Sequence, residues 1–350
     1  MSLFAKNAFG LDISDTSFKL VWLDNKKCIK SYNEVALGEG LMEKGVIKDR
    51  AQVVEAVKKL ISTAKGDKIK TDRAVACLPE PKTFIKVIRI PVTVRGNKIK
   101  DFILDNIQQH FPLRAEEIYI DWQMLGSRKT DDDLAEVLVG VAPRKIADDY
   151  LDLLSGAGLK VESLEIEAAA ITNALVREKD KKNKTEVAPK IVVDLGANRS
   201  SLVLFDRGTI QFSISIPVSG IKVTDEIAKE LGITFIGAEK KKIEDGLQDD
   251  SSAVYKIFEK NLSEIVKEIK RSSAFYSQKG GGQIEEVTLC GGVAETKNLL
   301  EYLSLKTKLK VALGNPFANI KPEEKQKFKL AGSAISFTTA IGLALSGLKI

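Results

Sequence analysis

The chain has 350 residues, of which 44% are hydrophobic and 29% charged, and its net charge is +6. This composition is typical of a soluble globular protein, and the length favours two lobes over one compact domain. The basic residues are scattered, which argues against a nucleic-acid-binding protein. Their densest cluster, residues 179–184, is predicted to be a solvated loop.

The chain shows no targeting segment and no sign of a disulfide framework. No stretch approaches the ~20 apolar residues that cross a bilayer, and the first residues lack a signal-peptide pattern. Cys28, Cys77 and Cys290 lie in or beside apolar strands and are predicted to be buried free thiols. We therefore expect a cytoplasmic protein that is peripheral to a membrane only through its partners.

The first 180 residues predict strands and helices in alternation. In order, these are strands within 8–37, a helix at 49–64, strands at 74–78 and 83–90, a helix at 99–111, strands at 118–125 and 134–142, a helix at 144–157, a strand at 161–166 and a helix at 168–177. Residues 43–47 are expected to be a loop. His110, the single histidine, ends a predicted helix, where a dipole or capping role is expected rather than catalysis.

The second half begins with a three-stranded meander. Its predicted elements are strands at 191–195, 200–206 and 209–216, helices at 222–231, 237–246 and 253–278, a strand at 287–289, a helix at 295–308, a strand at 309–312 and a helix at 331–346. Alternating strands and helices, with a meander opening each half, indicate an α/β protein with mixed sheets.

One pattern occurs twice. Residues 9–22 and residues 191–204 both read as an apolar strand, an Asp, a turn of small and polar residues and a second apolar strand. Turns of this composition are common, so one copy alone favours an ordinary hairpin. The repeat at half-chain spacing instead suggests two similar lobes, each placing one Asp-bearing hairpin at a shared cleft.

The first hairpin contains groups suited to bind phosphate. Backbone N–H groups of a tight turn form a concavity for phosphate oxygens, and Ser14, Thr16 and Ser17 add hydroxyl donors. Lys19 supplies positive charge, and Asp12 is placed to hold a hydrated Mg²⁺ through water.

The second hairpin offers the same kinds of groups. Asp194 precedes the turn, Gly196 lies within it, and Ser200 and Ser201 supply hydroxyls. Two such turns facing each other would clamp a triphosphate.

A third element is suited to bind a nucleoside. Gly291 and Gly292 follow an apolar strand, where a flat base can approach the backbone. Glu239 and Lys242 lie three residues apart on one predicted helix face, positioned to bond ribose or adenine edges. Without the other motifs, that pair would be interpreted as a solvated helix surface.

These motifs together resemble the actin, hexokinase and Hsp70 ATPase superfamily, whose fold is α/β and ribonuclease H-like. The match places phosphate-1 at 10–19, phosphate-2 at 192–201 and the adenosine motif at 287–293. Glu165 begins a segment, 165–170, that resembles the one carrying the water-positioning acid of bacterial actins. The resemblance implies a catalytic role for Glu165.

Within that superfamily the chain is most similar to the PilM family of type IV pilus machines, and next to FtsA. Residues 87–91, 111–112 and 117–121 resemble the inserted subdomain that the two families share, residues 218–222 their nucleotide-contact loop and residues 339–345 the closing helix. FtsA carries a further C-terminal linker and amphipathic helix, and this chain ends at Ile350, which favours PilM.

The resemblance implies a first lobe at 1–180 with an insert at about 82–160, and a second lobe at 190–350 with a nucleotide-contact subdomain at about 222–285. It implies ATP or ADP with Mg²⁺ as cofactors and Asp12 and Asp194 as metal ligands through water. The implied cofactor-binding residues are Asp12, Ser14, Asp15, Thr16, Ser17, Lys19, Asp194, Gly196, Ala197, Asn198, Arg199, Ser200, Gly220, Lys222, Glu239, Lys242, Gly291, Gly292 and Val293.

The implied function is a cytoplasmic ATP-binding scaffold of a pilus or secretion platform. It would bind the N-terminal tail of a PilN-type membrane protein between the insert and the first lobe, with candidate contacts along 84–90 and 102–107, and self-association is a further possibility. Ser14, where the family motif has glycine, and bulky Asn198 and Arg199 favour weak ATP hydrolysis at most. The alternatives are an FtsA-like filament-forming membrane tether and a small-molecule kinase of the same superfamily.

Overall fold

The computed structural model describes residues 7–127, 133–177, 188–321 and 333–348. The chain separates into two units. The first unit consists of Met1–Asn173, Ile210–Ser213 and Ala340–Ile350, and the second of Ala174–Thr209 and Ile214–Thr339. The basic cluster at 179–184 and the first residues of the expected 331–346 helix lie outside the described residues.

The first unit contains a six-stranded mixed sheet. Its strands are β1 (Phe9–Ile13), β2 (Ser17–Leu23), β3 (Ile29–Ala36), β6 (Lys65–Gly66), β7 (Arg73–Leu78) and β11 (Lys160–Ile166), in the order β11-β7-β1-β2-β3-β6. β1 is parallel to β7 and antiparallel to β2, and all five of its residues are buried. A strand covered on both faces forms a continuous apolar run, which explains its sequence.

Two helices cover one face of this sheet. α1 (Arg50–Ser62) begins at Asp49, whose carboxylate accepts a hydrogen bond from the Gln52 backbone N–H at 3.0 Å. α1 and α4 (Arg144–Gly156) bury their apolar stripes, among them Val57, Leu60 and Leu153, in one core with β1, β2 and β7. The chain leaves α4 through Gly158, whose φ of +83° suits glycine.

The prediction that residues 43–47 form a loop is wrong, because they belong to a short hairpin whose two strands have two residues each. β4 (Met42–Glu43) pairs with β5 (Val46–Ile47) around Gly45, which has a φ of +75°. Tyr150 Oη donates to the Gly45 carbonyl at 3.2 Å, so α4 fixes the turn.

The segment predicted to be an insert, called the insert below, contains three antiparallel strands with helices on one face. β10 (Leu134–Pro143) lies between β8 (Phe84–Pro91) and β9 (Ile118–Ser127). The single helix expected at 99–111 is wrong, because α2 (Lys98–Asp105) and α3 (Ile107–His110) are separate. Asn106 separates them, and its side-chain amide donates to the Phe102 carbonyl at 2.8 Å, which competes with a continuous helix. His110 ends α3, as predicted.

The sheet of the second unit is built around a second buried strand. β12 (Lys190–Leu195) pairs antiparallel with β13 (Ser200–Asp206) and parallel with β15 (Glu286–Cys290), which pairs parallel with β16 (Lys310–Leu313). β14 (Thr209–Ile216) contributes residues to both units. Within the first unit, its Phe212 pairs with Lys86 of β8.

The remaining helices follow the predicted order with some shifted ends. They are α5 (Glu167–Leu175), α6 (Gly220–Leu231), α7 (Phe235–Asp245), α8 (Ala253–Gln278), α9 (Leu299–Thr307) and α10 (Thr338–Ser346). The expected helix at 295–308 starts later, because a short 3₁₀ helix, Gly292–Glu295, precedes Asn298 in the left-handed region. α10 likewise follows a 3₁₀ helix, Ala334–Phe337. No helix in the described ranges is long and apolar enough to span a membrane.

Candidate functional site

The turn between β1 and β2 is closed by its own serine. Ser14 Oγ donates to the Ser17 carbonyl at 2.7 Å and accepts from the Ser17 N–H at 3.2 Å. The Ser14 N–H donates to the same carbonyl. The N–H groups of Asp15 and Thr16 make no hydrogen bond within the described ranges, and they remain as donors for a phosphate.

The charged residues of this hairpin are held by neighbours in the first unit. Lys19 Nζ donates to Ser17 Oγ at 2.9 Å and lies 3.2 Å from a Glu34 carboxylate oxygen, with 12% of its side chain exposed. Asp15 accepts the Gly45 N–H at 2.9 Å, which ties the turn to the small β4–β5 hairpin. These contacts hold the side chains of Lys19 and Asp15 in place. The Glu34 carboxylate also offsets part of the positive charge of Lys19.

Asp12 is buried beside a cysteine thiol. Asp12 is 8% exposed, and Cys77 Sγ, on the neighbouring parallel strand β7, donates to its Oδ1 at 3.5 Å. Burial raises the pKa of Asp12, while Lys19 opposes that rise. Burial and the Asp12 charge together raise the pKa of Cys77 well above its usual value, so the thiol keeps its proton and acts as a donor.

The predicted catalytic acid lies in the same cross-strand row. Glu165 of β11 is in register with Cys77, Asp12 is in register with Lys19, and Lys19 with Glu34. These five side chains lie on five neighbouring strands, from β11 to β3. The catalytic role of Glu165 remains a prediction.

The turn between β12 and β13 depends on glycine. The Gly196 N–H donates to the Arg199 carbonyl at 3.0 Å, and a Cβ at Gly196 would lie 2.6 Å from that oxygen. Arg199 Nε donates to Ser215 Oγ at 2.7 Å, and buried Ser200 donates to the Val218 carbonyl at 2.8 Å. Ala197 and Asn198 are exposed at the tip.

Asp194 repeats the arrangement of Asp12. Cys290 of the parallel strand β15 donates through Sγ to Asp194 Oδ1 at 3.6 Å. Ser201 is in register with Asp194 on the other side, and its buried Oγ has no hydrogen-bond partner in the described part of the chain. Gly291, with a φ of +83°, packs against this end of β12, since a Cβ there would lie 2.5 Å from the Leu195 carbonyl oxygen.

The start of α6 is fixed to the second hairpin. Ser219 caps the helix by accepting the Lys222 N–H at 3.1 Å. The Gly220 N–H donates to the Gly196 carbonyl at 3.1 Å, and the Ile221 N–H donates to the Ala197 carbonyl at 2.9 Å. The predicted contact loop and phosphate-2 turn therefore form one connected structure.

Lys242 is buried and bonded rather than solvated. Its Nζ donates to Glu239 Oε2 at 2.7 Å, to Thr224 Oγ1 at 2.8 Å and to the Gly220 carbonyl at 3.2 Å. Val293 also reaches this place, since a Cβ on Gly220 would lie 2.7 Å from Val293 Cγ2. The structure thus brings three predicted parts of the site together within the second unit. They are Glu239 and Lys242 of α7, Gly220 at the start of α6, and Val293 of the glycine loop, residues 291–293.

The residues of the two hairpins suit a hydrated cation that also binds phosphate. They suit a cation bound by protein side chains alone less well. In the described ranges, no three His, Cys, Asp or Glu side chains gather as a metal site. Mg²⁺ in nucleotide sites is commonly held by one or two carboxylates, water and phosphate oxygens. Each hairpin has an Asp at the end of its first strand, Asp12 or Asp194. The buried Ser201 Oγ beside Asp194, which has no hydrogen-bond partner in the described residues, would pair with a bound water.

A second candidate site is an apolar groove in the first unit, with a volume of about 660 Å³. It runs between the outer face of the insert sheet and the edge strand β11 with α4. Its apolar lining includes Ile85, Tyr119, Leu138, Leu151, Leu164 and Ile166. Gly140 permits the close approach of the two walls, because a Cβ there would lie 3.1 Å from Ile166 Cδ1.

The candidate partner contacts are placed differently by the structure. Ile85, from the 84–90 stretch, lines the groove, whereas Ile103 and Ile107 lie in the core of the insert. Most of the lining comes from β9, β10 and β11, which the sequence did not single out. The available signal was the alternation of apolar and polar residues along these strands. That alternation does not tell which face of the sheet is left uncovered and lines a groove. The sequence analysis also missed Cys77 and Cys290 as hydrogen-bond donors to Asp12 and Asp194, and Thr224 as a hydrogen-bond partner of Lys242.

Solved structures with the same fold confirm the predicted actin-like α/β fold. The chain is similar to a PilM-PilN type IV pilus biogenesis complex protein, with a TM-score of 0.82, 22% identity and 98% of each chain covered. It is also similar to the ethanolamine utilization protein EutJ from Carboxydothermus hydrogenoformans, with a TM-score of 0.57, 15% identity and 97% and 89% covered. A third similar structure is MreB5 of Spiroplasma citri bound to ADP, with a TM-score of 0.53, 12% identity, and 93% of this chain and 97% of that chain covered. Identities this low establish the fold alone.

The family relationship rests on nearly the whole chain. The family described as type IV pilus assembly protein PilM matches residues 10–348, which include both Asp hairpins, the insert and the groove. The predicted resemblance is therefore confirmed. The chain belongs to the PilM family of type IV pilus assembly proteins.

Proposed function

We propose that this scaffold binds the cytoplasmic tail of a PilN-type membrane protein in the groove of the first unit. The observation that carries the proposal is the groove itself, which is apolar, partly enclosed and bounded by secondary structure on both sides. The similar solved complex contains PilM and PilN, which supports a partner of this type. The tail would hold the protein at the membrane, as a peripheral cytoplasmic component.

An extended tail suits the walls of the groove. β9 is the end strand of the insert and β11 is the end strand of the main sheet of the first unit, so each has one edge that pairs with no other strand of the described residues. A peptide added to such an edge gains main-chain hydrogen bonds, and its alternate side chains fill apolar pockets. Residues 82–160, as an inserted subdomain of a first lobe at 1–180, would then serve as the partner-binding module.

The proposal also includes binding of ATP or ADP with Mg²⁺ by the two hairpins. Three observations support it: the N–H donors left at Asp15 and Thr16, an Asp at the end of the first strand of each hairpin, and the Ser201 hydroxyl, which has no hydrogen-bond partner in the described residues. Glu239, Lys242, Gly291 and Gly292 would contact the nucleoside from a second lobe at 190–350 and its subdomain at about 222–285. Bound Mg²⁺ would neutralise phosphate charge. Any hydrolysis would use Glu165 and would be weak, because Ser14 narrows the first turn.

A matched pair of variants tests the groove. Leu151 lines it and is 40% exposed, while Leu305 is 77% exposed on α9 of the second unit. Leu151→Glu should weaken binding of a fluorescent peptide, made from the cytoplasmic tail of a PilN-type protein of the same organism, by more than about tenfold. Leu305→Glu should leave the dissociation constant unchanged. Failure of the unaltered protein to bind the peptide, or equal losses in both variants, would refute the proposal.

A further inference from the structure

The small β4–β5 hairpin is bonded both to the first phosphate turn and to α4. The Gly45 N–H donates to the Asp15 carboxylate at 2.9 Å, and the Gly45 carbonyl accepts a hydrogen bond from Tyr150 Oη at 3.2 Å. A single residue of the hairpin therefore joins the turn between β1 and β2 to α4. The N–H groups that this turn leaves for a phosphate are those of Asp15 itself and of Thr16.

Gly45 has little freedom to move within this connection. Its φ is +75°, and a Cβ there would lie 2.2 Å from Pro79 Cβ. The hairpin is thus packed on the residue that follows β7, the strand whose Cys77 donates to Asp12. Close-packed groups leave little void to absorb a displacement, so a shift on one side of Gly45 is felt on the other.

Tyr150 is a fixed donor in this connection. It is 1% exposed and lies in the core of the first unit. Burial raises the pKa of Tyr150 well above its usual value, so the hydroxyl keeps its proton and donates. A buried tyrosine hydroxyl needs a hydrogen-bond partner, and here the partner is the backbone of the β4–β5 hairpin.

The residue next to Tyr150 along α4 lines the groove. Leu151 and Ala147 of α4 both contribute to the lining. Leu78 contributes as well, and it directly precedes Pro79. Helices and strands shift as rigid elements, so a ligand that moves or fixes the groove wall also moves or fixes the groups that contact Gly45.

We propose that Tyr150 and Gly45 link the two ligands of the proposed function, so that a tail in the groove strengthens binding of phosphate at the first turn. The inference rests on the proposed function and describes its regulation. A tail packed on Leu151 holds α4 in place, and the Tyr150 hydroxyl then holds Gly45 against Asp15. The Asp15 carboxylate stays bonded to the hairpin, whereas a released carboxylate beside the free N–H groups would repel phosphate. The turn is then ordered before the nucleotide binds.

Isothermal titration calorimetry of the whole protein tests the link. Binding of Mg·ADP is measured with and without a saturating tail peptide from a PilN-type protein of the same organism. We expect the peptide to strengthen Mg·ADP binding about fivefold, and Mg·ADP to strengthen peptide binding by the same factor, because coupling between two sites is reciprocal. Adenosine has no phosphate for the first turn, so the peptide should strengthen its binding by less than about twofold. That difference separates this link from a general closure around the nucleoside.

A matched pair of tyrosine variants locates the effect. Tyr150→Phe removes the hydroxyl and keeps the ring, so peptide binding alone should change by less than about twofold while the coupling factor falls to about one. Tyr276→Phe is the control, because Tyr276 is also buried, at 4% exposed, and its hydroxyl donates to Asp206 in the second unit. It loses a buried hydrogen bond of the same kind and should keep the coupling factor.

Hydrogen exchange supplies a measurement that needs no variant. When the tail peptide binds the unaltered protein, exchange of the segment 41–48 should slow by about threefold or more, because Gly45 is held more firmly between Tyr150 and Asp15. The groove lining contains no residue of this segment among the described residues, so direct cover by the peptide would not explain the slowing.

Several results would overturn the inference. If both ligands bind and neither changes the affinity for the other, the link does not exist, although the proposed function would stand. The same conclusion follows if adenosine gains as much as Mg·ADP, if Tyr150→Phe keeps the coupling factor, if both tyrosine variants lose it, or if exchange of the segment 41–48 does not change. If the unaltered protein binds no tail peptide or no Mg·ADP, the proposed function fails together with the inference.

Discussion

The Asp12 and Asp194 hairpins are built on one plan with different turns. In each, an Asp at the end of a buried strand accepts a hydrogen bond from a cysteine on the parallel neighbour, Cys77 or Cys290. Both turns are closed by a backbone bond, from the Ser14 N–H to the Ser17 carbonyl and from the Gly196 N–H to the Arg199 carbonyl. The first turn adds the hydrogen bonds of Ser14 Oγ, whereas a Cβ at Gly196 would lie 2.6 Å from the Arg199 oxygen. The residue two positions after the Asp, Ser14 in one hairpin and Gly196 in the other, therefore determines how much space the turn leaves for a ligand.

The charges around the two Asp residues differ as well. Asp12 lies in register with Lys19, which pairs with Glu34, and Glu165 extends the same row. The residues in register with Asp194 are uncharged, Ser201 and Cys290. The first hairpin thus places charged residues in register with its Asp, whereas the second places a serine there whose hydroxyl has no hydrogen-bond partner in the described residues.

The largest expected effect comes from the glycine loop beside Asp194. Gly291→Ala places a Cβ against Asp194 and Leu195 at a positive φ, and should lower the free energy of unfolding by about 3 kcal/mol or more. Its neighbour provides the control, since a Cβ at Gly292 would meet nothing within 4 Å. Gly292→Ala should change stability by less than about 0.5 kcal/mol in urea denaturation. Similar values for the two would contradict the packing described.

Exchanging the turn residues tests the difference between the hairpins directly. Gly196→Ser should weaken Mg·ADP binding at least tenfold, because the new Cβ meets the Arg199 carbonyl. Ser14→Gly should strengthen Mg·ADP binding by about three- to tenfold, since the Ser17 N–H is freed for phosphate, at a cost of about 1 kcal/mol in stability. Isothermal titration calorimetry measures both. Weaker binding by Ser14→Gly would show that the serine hydroxyl serves the ligand rather than narrowing the turn.

Asp12 should oppose folding stability at neutral pH. Its pKa is raised by burial, so the folded protein takes up a proton at a higher pH than the unfolded chain does, and stability from this group grows as pH falls towards 4. Asp12→Asn should therefore raise the free energy of unfolding at pH 7, with the gain shrinking towards pH 4. Urea denaturation at both pH values checks the sign. A loss of stability at pH 7 would mean that the Lys19 pair outweighs burial.

The smallest expected effect is that of the thiols. Cys77→Ala and Cys290→Ala should each weaken Mg·ADP binding only two- to fivefold, because a thiol is a weak donor that orients one carboxylate oxygen. Serine at either position should restore binding. A loss beyond about fiftyfold in either alanine variant would assign the thiols a larger role.

The sequence predicted the parts of the fold that depend on periodicity and repetition. The two Asp hairpins, most helices and the strands β8, β9 and β10 could be predicted because alternation and 3.6-residue spacing are local signals. The break at Asn106 and the β4–β5 hairpin could not, since each depends on one side-chain contact, from Asn106 or from Tyr150. Burial of Lys242 and the Cys–Asp pairs also escaped prediction, because they join residues more than ten positions apart in the chain. The groove arises from the packing of β10 on β11 and left no mark of its own in the sequence.

Titration of Mg·ATP into the protein and into Asp12→Asn and Asp194→Asn tests the role of the hairpins most directly. We expect one nucleotide per chain in the unaltered protein and a loss of affinity of at least about tenfold in each variant, with both variants folded. No binding to the unaltered protein, or unchanged affinity in either variant, would contradict the proposed roles of Asp12 and Asp194 in nucleotide binding.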